Sequence, residues 1–365
     1  MLVKRLTLRD FRNYESAELT LGEGLTLLHG PNGAGKTNLL EALYFGATGR
    51  SCRTSNEREM LRFGAAAARS VIEVEGEDGA HRIEVGFEPG EPKLMKIDGA
   101  RVERLSGATA RPLVSVFLPD RLELVKGPPG SRRAHLDQFV AALRPARAEN
   151  RTEYGRALAQ RNALLARVRA GRSGPSALDA WDHELARLGI VLMEDRTHSV
   201  ELLTPPFGRL AAELGLPGEA TLTYRPRSKA ADAAGLESEL HEARESDLQR
   251  GFSGHGPHRD ELVLAHEGRP LRAYGSQGQQ RLALLALLFA ERDVLLAERG
   301  RAPLMLLDDV VSELDAARRE RLVELIQSEG QAVITTTDAE AIPGVEDAVT
   351  AAVTAGEVRQ ELAPA

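Results

Sequence analysis

The chain has 365 residues, 42% of them hydrophobic and 28% charged, with a formal net charge of −7 at pH 7. That length is enough for about two domains with a substantial core, and the composition is that of an ordinary soluble globular protein. One cysteine, Cys52, excludes an intramolecular disulfide and a cysteine-built zinc cluster, while the acidic balance means that nucleic acid must be met by a local basic patch.

The N-terminal stretch Met1 to Phe11 alternates apolar and polar residues as a strand does and lacks the apolar core of a signal peptide. Strands are then expected at Leu25 to His29, Val71 to Glu75, Ile83 to Phe87, Leu94 to Ile97 and Leu113 to Phe117, with a helix starting near Gly35. From Ala134 to about Leu210 the pattern is helical. Tyr154, Leu158, Leu165 and Val168, then Leu178, Trp181, Leu185, Leu188 and Leu192, recur at spacings of three and four on either side of a turn at Ala170 to Ala177. This predicts an antiparallel hairpin of about 20 to 25 residues per arm, or two helices of an ordinary bundle. Between Arg121 and Arg172 twelve Lys or Arg face four Asp or Glu, a local excess of eight positive charges. Strands return at Thr221 to Arg225, Leu262 to Ala265, Leu304 to Leu307, Ala332 to Thr336 and Val349 to Val353. The longest apolar run, Leu282 to Ala290, is too short to span a bilayer, so a cytoplasmic protein without membrane contact is expected. The simplest architecture is an α/β domain built from both chain ends around a helical insertion, with segments 1–120, 121–250 and 251–365.

Three motifs carry chemistry. "GPNGAGKT", Gly30 to Thr37, fits the phosphate-binding pattern G-x-x-x-x-G-K-[ST] between an apolar strand and a helix. Backbone N–H groups across Gly30, Asn32, Gly33, Ala34 and Gly35 converge on phosphate, Lys36 adds charge, Thr37 offers a hydroxyl to Mg²⁺, and Asn38 follows in the first turn of the helix. "LMLLDD", Leu304 to Asp309, is a buried strand ending in two carboxylates: Asp308 suits the Mg²⁺ shell and Asp309 an attacking water. Ser276-Gln-Gly-Gln-Gln280 opens a long apolar helix. By itself it reads either as an N-cap or as a second phosphate-binding helix start. His255, His258 and Asp260 lie in a Gly-Pro turn that needs no metal.

The order of phosphate loop, insertion, serine-glycine-glutamine turn and Asp308 resembles the ABC-type ATPases. The match narrows with "LTLRDFRNYES" at Leu6, "GPNGAGKTNLLEAL" at Gly30, "FLPDRLELVKGPPGSRRAHLD" at Phe117, "RNALL" at Arg161, "GPHRDEL" at Gly256, "GSQGQQR" at Gly275 and "LLDDVVSELD" at Leu306, which together are similar to the bacterial RecF family across the whole chain.

That resemblance implies a P-loop ATPase head of the SMC-like ABC type with a short helical arm. It also implies a weak, DNA-stimulated, Mg²⁺-dependent ATPase that dimerises on ATP. Such a protein binds duplex DNA and single-strand/double-strand junctions at gaps, and with RecO and RecR helps to load RecA, in the cytoplasm at the nucleoid. On this reading Ser276, Gly278 and Gln279 reach the nucleotide of a second copy, with Asp315 near the same seam and Arg12 and Asn13 touching nucleotide. Thr337 stands where ABC proteins carry a switch histidine, and no glutamine occupies the region Pro119 to Leu122 where a Q-loop contact belongs. DNA contacts rest on charge alone: Lys126, Arg132 and Arg133 flank a Gly-Pro-rich loop, and Arg144, Arg147, Arg151 and Arg156 continue the basic stretch. The absence of interleaved aromatics there favours duplex backbone over single strands. The rival readings are the ATP-binding subunit of a transporter, disfavoured by the insertion and the Asp-Asp pair, and an SMC-like tether, disfavoured by the short hairpin.

Overall fold

A computed structural model describes residues 1–105, 107–311, 314–339, 342–344 and 348–361. The chain divides into two compact units, Met1–Arg121 with Leu295–Ala365, and Leu122–Val294.

The first unit holds two six-stranded sheets. One is antiparallel, in the spatial order Tyr14–Thr20, Leu2–Phe11, Ala68–Gly76, Gly79–Phe87, Leu94–Ile97, Ala100–Arg101. The other runs Glu357–Glu361, Val349–Thr354, Leu25–His29, Ala332–Thr336, Leu304–Leu307, Val114–Phe117, and is parallel except for its Glu357–Glu361 edge. The helix Lys36–Thr48 is apolar around most of its surface, as a helix enclosed by other elements must be. Its Leu39, Leu40, Leu43 and Phe45 share one core with Leu6, Leu8, Ile72 and Val85 of the first sheet and Leu28, Leu306 and Val333 of the second.

The second unit is helical with a small sheet of its own. The strands Ala220–Arg225 and Glu261–His266 pair antiparallel with each other, and Arg269–Pro270 completes a three-stranded sheet. These two strands therefore do not join the two six-stranded sheets, and 251–294 packs with the insertion: hydrophobic alternation identifies a strand without naming its partner.

The expected hairpin is present as Asn150–Arg169 and Asp179–Glu213. Its second arm is 35 residues long and runs through Pro205 and Pro206. Proline inside a helix costs about 3 kcal/mol, and here the buried Leu203, Phe207 and Leu210 that flank the pair hold the helix together. The seam is covered by a third helix, Ala233–Glu242, whose Leu236 and Leu240 share a core with Tyr154, Leu185, Leu188 and Leu192. The bundle alternative thus applies, because leucines that face only one partner helix would leave this stripe wet.

Buried arginines tie the unit together. Arg161 is wholly buried and donates to Asp182 (2.5 Å), Asp247 (2.6 Å) and Ser253 (2.7 Å). Arg196 grips Asp137 with Nε and Nη2 (2.8 and 3.1 Å) and reaches Asp260 at 3.3 Å. Asp260 also accepts the Tyr224 hydroxyl and the Arg227 N–H, and His255 meets Glu239. His258 accepts from the Tyr154 hydroxyl at Nδ1 (2.8 Å) and donates from Nε2 to the Ser253 carbonyl (2.9 Å), the pattern of a neutral ring. Burial pushes its pKa down from 6.5 to about 4. A depressed folded-state pKa contributes stability that is present above pH 6.5 and lost as pH falls towards 4. Thermal midpoints of this protein are expected to drop across that window, and a His258→Gln variant, compared over the same pH series, to show a shallower decline.

Candidate nucleotide site

Leu25–His29, Ala332–Thr336 and Leu304–Leu307 are adjacent and parallel, with Leu27 beside Ile334 and Ile334 beside Leu307. Their carboxyl ends therefore open on one sheet edge, where α/β proteins bind ligands. The loop Gly30–Gly35 leaves the first of them. Gly35 is the N-cap of Lys36–Thr48 at φ 119°, a conformation that side chains resist, and a Cβ there would sit 2.6 Å from the Asn13 amide and the Tyr14 hydroxyl. The loop is braced from outside: Asn13 Nδ2 donates to Ala34 O (2.9 Å) and the Tyr14 hydroxyl to Gly35 O (3.0 Å).

Within the loop, Lys36 Nζ donates to Gly30 O (2.6 Å) and Pro31 O (3.1 Å). The Thr37 hydroxyl lies 2.9 Å from both oxygens of Asp308, across 271 residues of sequence. Burial lowers the pKa of Lys36 against the pull of Asp308 and Asp309, and burial raises that of Asp308 against hydrogen bonds from Thr335 and Thr37. A buried cation and a buried anion thus face a loop rich in N–H donors, which suits a charged ligand with its own metal. Thr37 and Asp308 supply only hard oxygen donors, the set that Mg²⁺ takes.

Asp309 follows at φ 47° and donates its N–H to the Thr335 hydroxyl (2.9 Å), which itself donates to Asp308 (2.6 Å). Thr335 is a residue that sequence reasoning passed over. In "ITTTD" it is buried, whereas Thr337, one residue past the strand, is exposed. Three successive threonines give no clue to which one points inward at a strand end.

Arg12, at φ 54°, grips Glu41 with two bonds of 2.8 Å. Glu41 is fully buried and also receives Ser51 (2.5 Å) and Arg53 (3.3 Å). Asn38 Nδ2 donates to Asn13 Oδ1 (2.8 Å), so both ends of the Asn13 amide are engaged by the loop and its helix. Asp315 caps the helix Ala316–Ser328 by accepting from the Arg318 N–H (2.9 Å); Ser312 and Glu313 of the quoted "SELD" lie outside the described residues.

In the second unit the helix Gln277–Arg299 begins with a reciprocal capping box: Ser276 Oγ accepts from Gln279 N–H (3.2 Å) and Gln279 Oε1 from Ser276 N–H (2.8 Å). Ser276 and Gly278 are exposed.

The basic stretch behaves differently from its charge count. Arg132 is only 3% exposed and paired with Glu261 (2.7 Å), so the expectation that it meets DNA phosphate is corrected. Arg133 donates to Asp260 O (2.7 Å). Arg144 and Arg147 flank the buried Asp195 at 3.3 and 3.7 Å, and Arg151 lies 3.1 Å from Asp137. Lys126 and Arg156 are exposed. Carboxylates from distant positions thus neutralise much of a charge excess that was counted in one window of sequence.

The model of the RecF/RecN/SMC N-terminal domain matches residues 2–360. The DNA replication and repair protein RecF of Streptomyces avermitilis is 38% identical over 363 residues, covering 94% of this chain and 96% of that protein. The chain belongs to the RecF family. RecF of Anaeromyxobacter sp. is 40% identical over 355 residues, covering 93% of each chain. Among solved structures, the ATP complex of the recombination mediator RecF superposes with a TM-score of 0.89 at 27% identity, covering 99% of this chain and 97% of that one. An SMC head bound to the C-winged helix domain of ScpA gives 0.61 at 19% identity, covering 99% and 97%, a likeness of fold. The architecture is therefore the α/β ATPase head of the RecF and SMC type with a helical insertion, in an ATP-binding family concerned with DNA replication and repair. Among the described residues, no helix is long and apolar enough to cross a membrane.

Proposed function

We propose that this chain is an ATP-switched DNA-binding protein of recombinational repair. The carrying observation is the split of its motifs: Thr37 and Asp308 meet within one unit, while Ser276, exposed and pre-capped, belongs to the other. Lys36 and the loop N–H groups bind the phosphates, and Thr37 and Asp308 hold Mg²⁺, which supplies charge neutralisation of the β- and γ-phosphates. Thr335 orients Asp308 through its hydroxyl and fixes the backbone of Asp309, whose carboxylate polarises water. Ser276, Gly278 and Gln279 face the γ-phosphate held by a second copy, so ATP joins two chains and hydrolysis releases them. Lys126 and Arg156, with the outer faces of Arg144, Arg147 and Arg151, contribute backbone contacts to duplex or junction DNA. The pathway partners named for the structural relative, which works in RecFOR, point to RecO and RecR, upstream of RecA loading. Sedimentation with and without a slowly hydrolysed ATP analogue tests this reading: a shift from monomer to dimer on ATP is expected, and a monomer at saturating nucleotide contradicts it.

We propose further that the base of the nucleotide stacks on Phe63. Backbone bonds from Arg12 N to Met60 O (2.7 Å) and from Arg62 N to Asp10 O (2.9 Å) hold this segment beside Arg12, and the Phe63 ring is fully exposed. Stacking of a base on an aromatic ring contributes about 1 to 3 kcal/mol. Phe63→Ala is expected to weaken ATP binding by roughly tenfold in calorimetric titration, with no loss of thermal midpoint because the ring buries nothing.

A further inference from the structure

A polar cavity lies in the first unit. It encloses about 500 Å³ and is lined by Arg50, Ser51, Arg53, Thr54, Ser55 and Lys93, with Glu57 as its one carboxylate. Of its three cations Arg53 is shared with the buried Glu41 (3.3 Å), to which Ser51 also donates, so Arg50 with the Thr54 and Ser55 hydroxyls offers the free donors for an anion with several oxygens. Glu57 is occupied by Lys93, whose ammonium also caps the C-terminal end of the helix Lys36–Thr48 at Gly49 O (2.7 Å). Arg50 is exposed and makes no ion pair among the described residues, so its charge is available to a ligand.

The cavity wall is preorganised. Ser51 Oγ accepts the N–H groups of Arg53 (3.0 Å) and Thr54 (3.1 Å), and Thr54 Oγ1 accepts that of Asn56 (3.0 Å), which fixes the bend of the segment. Arg53 Nη1 donates to Asn38 Oδ1 (2.8 Å), and from Asn38 the chain of bonds continues through Asn13 to Ala34 of the phosphate loop. A ligand drawn to Arg53 thus acts on the group that braces the ATP loop.

We propose that this cavity receives a backbone phosphate of nucleic acid and so gives the ATPase unit its own DNA contact beside the nucleotide site. The proposal rests on the DNA-binding reading above. A phosphate diester fits better than a small free anion, because the site is open enough for a polymer and its uncompensated cation is at the surface. The test uses the full chain with a slowly hydrolysed ATP analogue and a labelled duplex, titrated by anisotropy at several salt concentrations. Arg50→Ala is expected to weaken DNA binding about fivefold or more and to lower the slope of log affinity against log salt by about 1. Its ATP affinity and thermal midpoint should match the wild type, since Arg50 supports nothing in the fold. Calorimetry with inorganic phosphate and with AMP separates the possible sources. If Arg50→Ala loses affinity for those ligands but keeps its DNA affinity and salt slope, the phosphate is not that of a polymer and the proposal fails. Wild-type DNA binding with an unaffected Arg50→Ala and Ser55→Ala overturns the cavity alone, whereas a wild type that binds no DNA overturns the DNA-binding reading as well.

Discussion

Ser276→Arg is expected to yield a chain that binds ATP with wild-type affinity and remains a monomer in its presence. The substitution removes one N-cap, worth about 1 kcal/mol, from a helix of 23 residues whose Leu284, Leu287, Leu288 and Phe289 are buried. The fold is expected to survive that loss. On the proposed shared-site reading, the longer side chain fills the space that a partner's γ-phosphate would occupy. Gly278→Ala sharpens the test. A Cβ at Gly278 meets nothing within 4 Å, and alanine in place of glycine favours a helix by roughly 0.5 to 1 kcal/mol. A monomeric Gly278→Ala protein with an unchanged or raised thermal midpoint would therefore assign the defect to the surface it presents. Sedimentation velocity reads the oligomer and titration calorimetry the nucleotide; ATP-driven dimers in both variants would sink the shared-site reading.

Arg161→Met is expected to destabilise the helical unit by about 3 to 5 kcal/mol, the cost of leaving buried carboxylates without their cation. Asp182 keeps Arg244 at 2.6 Å, whereas Asp247 pairs with Arg161 itself. Adding Asp247→Asn should recover part of the loss, since a neutral amide costs less to bury than an unpaired charge. The single tryptophan, Trp181, packs against the core of this unit. Its fluorescence in urea therefore follows this unit's unfolding, and a midpoint equal to wild type would show that the network contributes nothing net. A chain of two compact units need not unfold in one step, so this local probe is preferable to a global one.

The phosphate loop, the strand ending in Asp308 and the serine-glycine-glutamine helix start were legible from residues alone. Each combines a local backbone demand with a fixed spacing: glycines where backbone must approach phosphate, an apolar run before acids, a capping residue before a helix. The strands Leu25–His29, Leu304–Leu307 and Ala332–Thr336 were legible for the same reason, as apolar segments bounded by turn residues. Family likeness then ordered these parts into one architecture.

Only the tertiary structure decided which charges face solvent and which residues support the loop. Arg161 interrupts an apolar seam in sequence and is the most deeply paired cation of the helical unit in space; Arg132 reads as a DNA contact and is an internal tie. Their carboxylate partners lie 21 to 129 residues away, outside the stretch Arg121 to Arg172 in which the charge is counted. Thr335, Glu41 and Arg53 were missed because their role is to hold other residues, and a hydrogen bond to a neighbour leaves no pattern along the chain. Sequence by itself determined the chemistry available to this protein, since that depends on residue type and local spacing. The fold determined where each charge is compensated, since Coulomb and hydrogen-bond energies depend on distance in space.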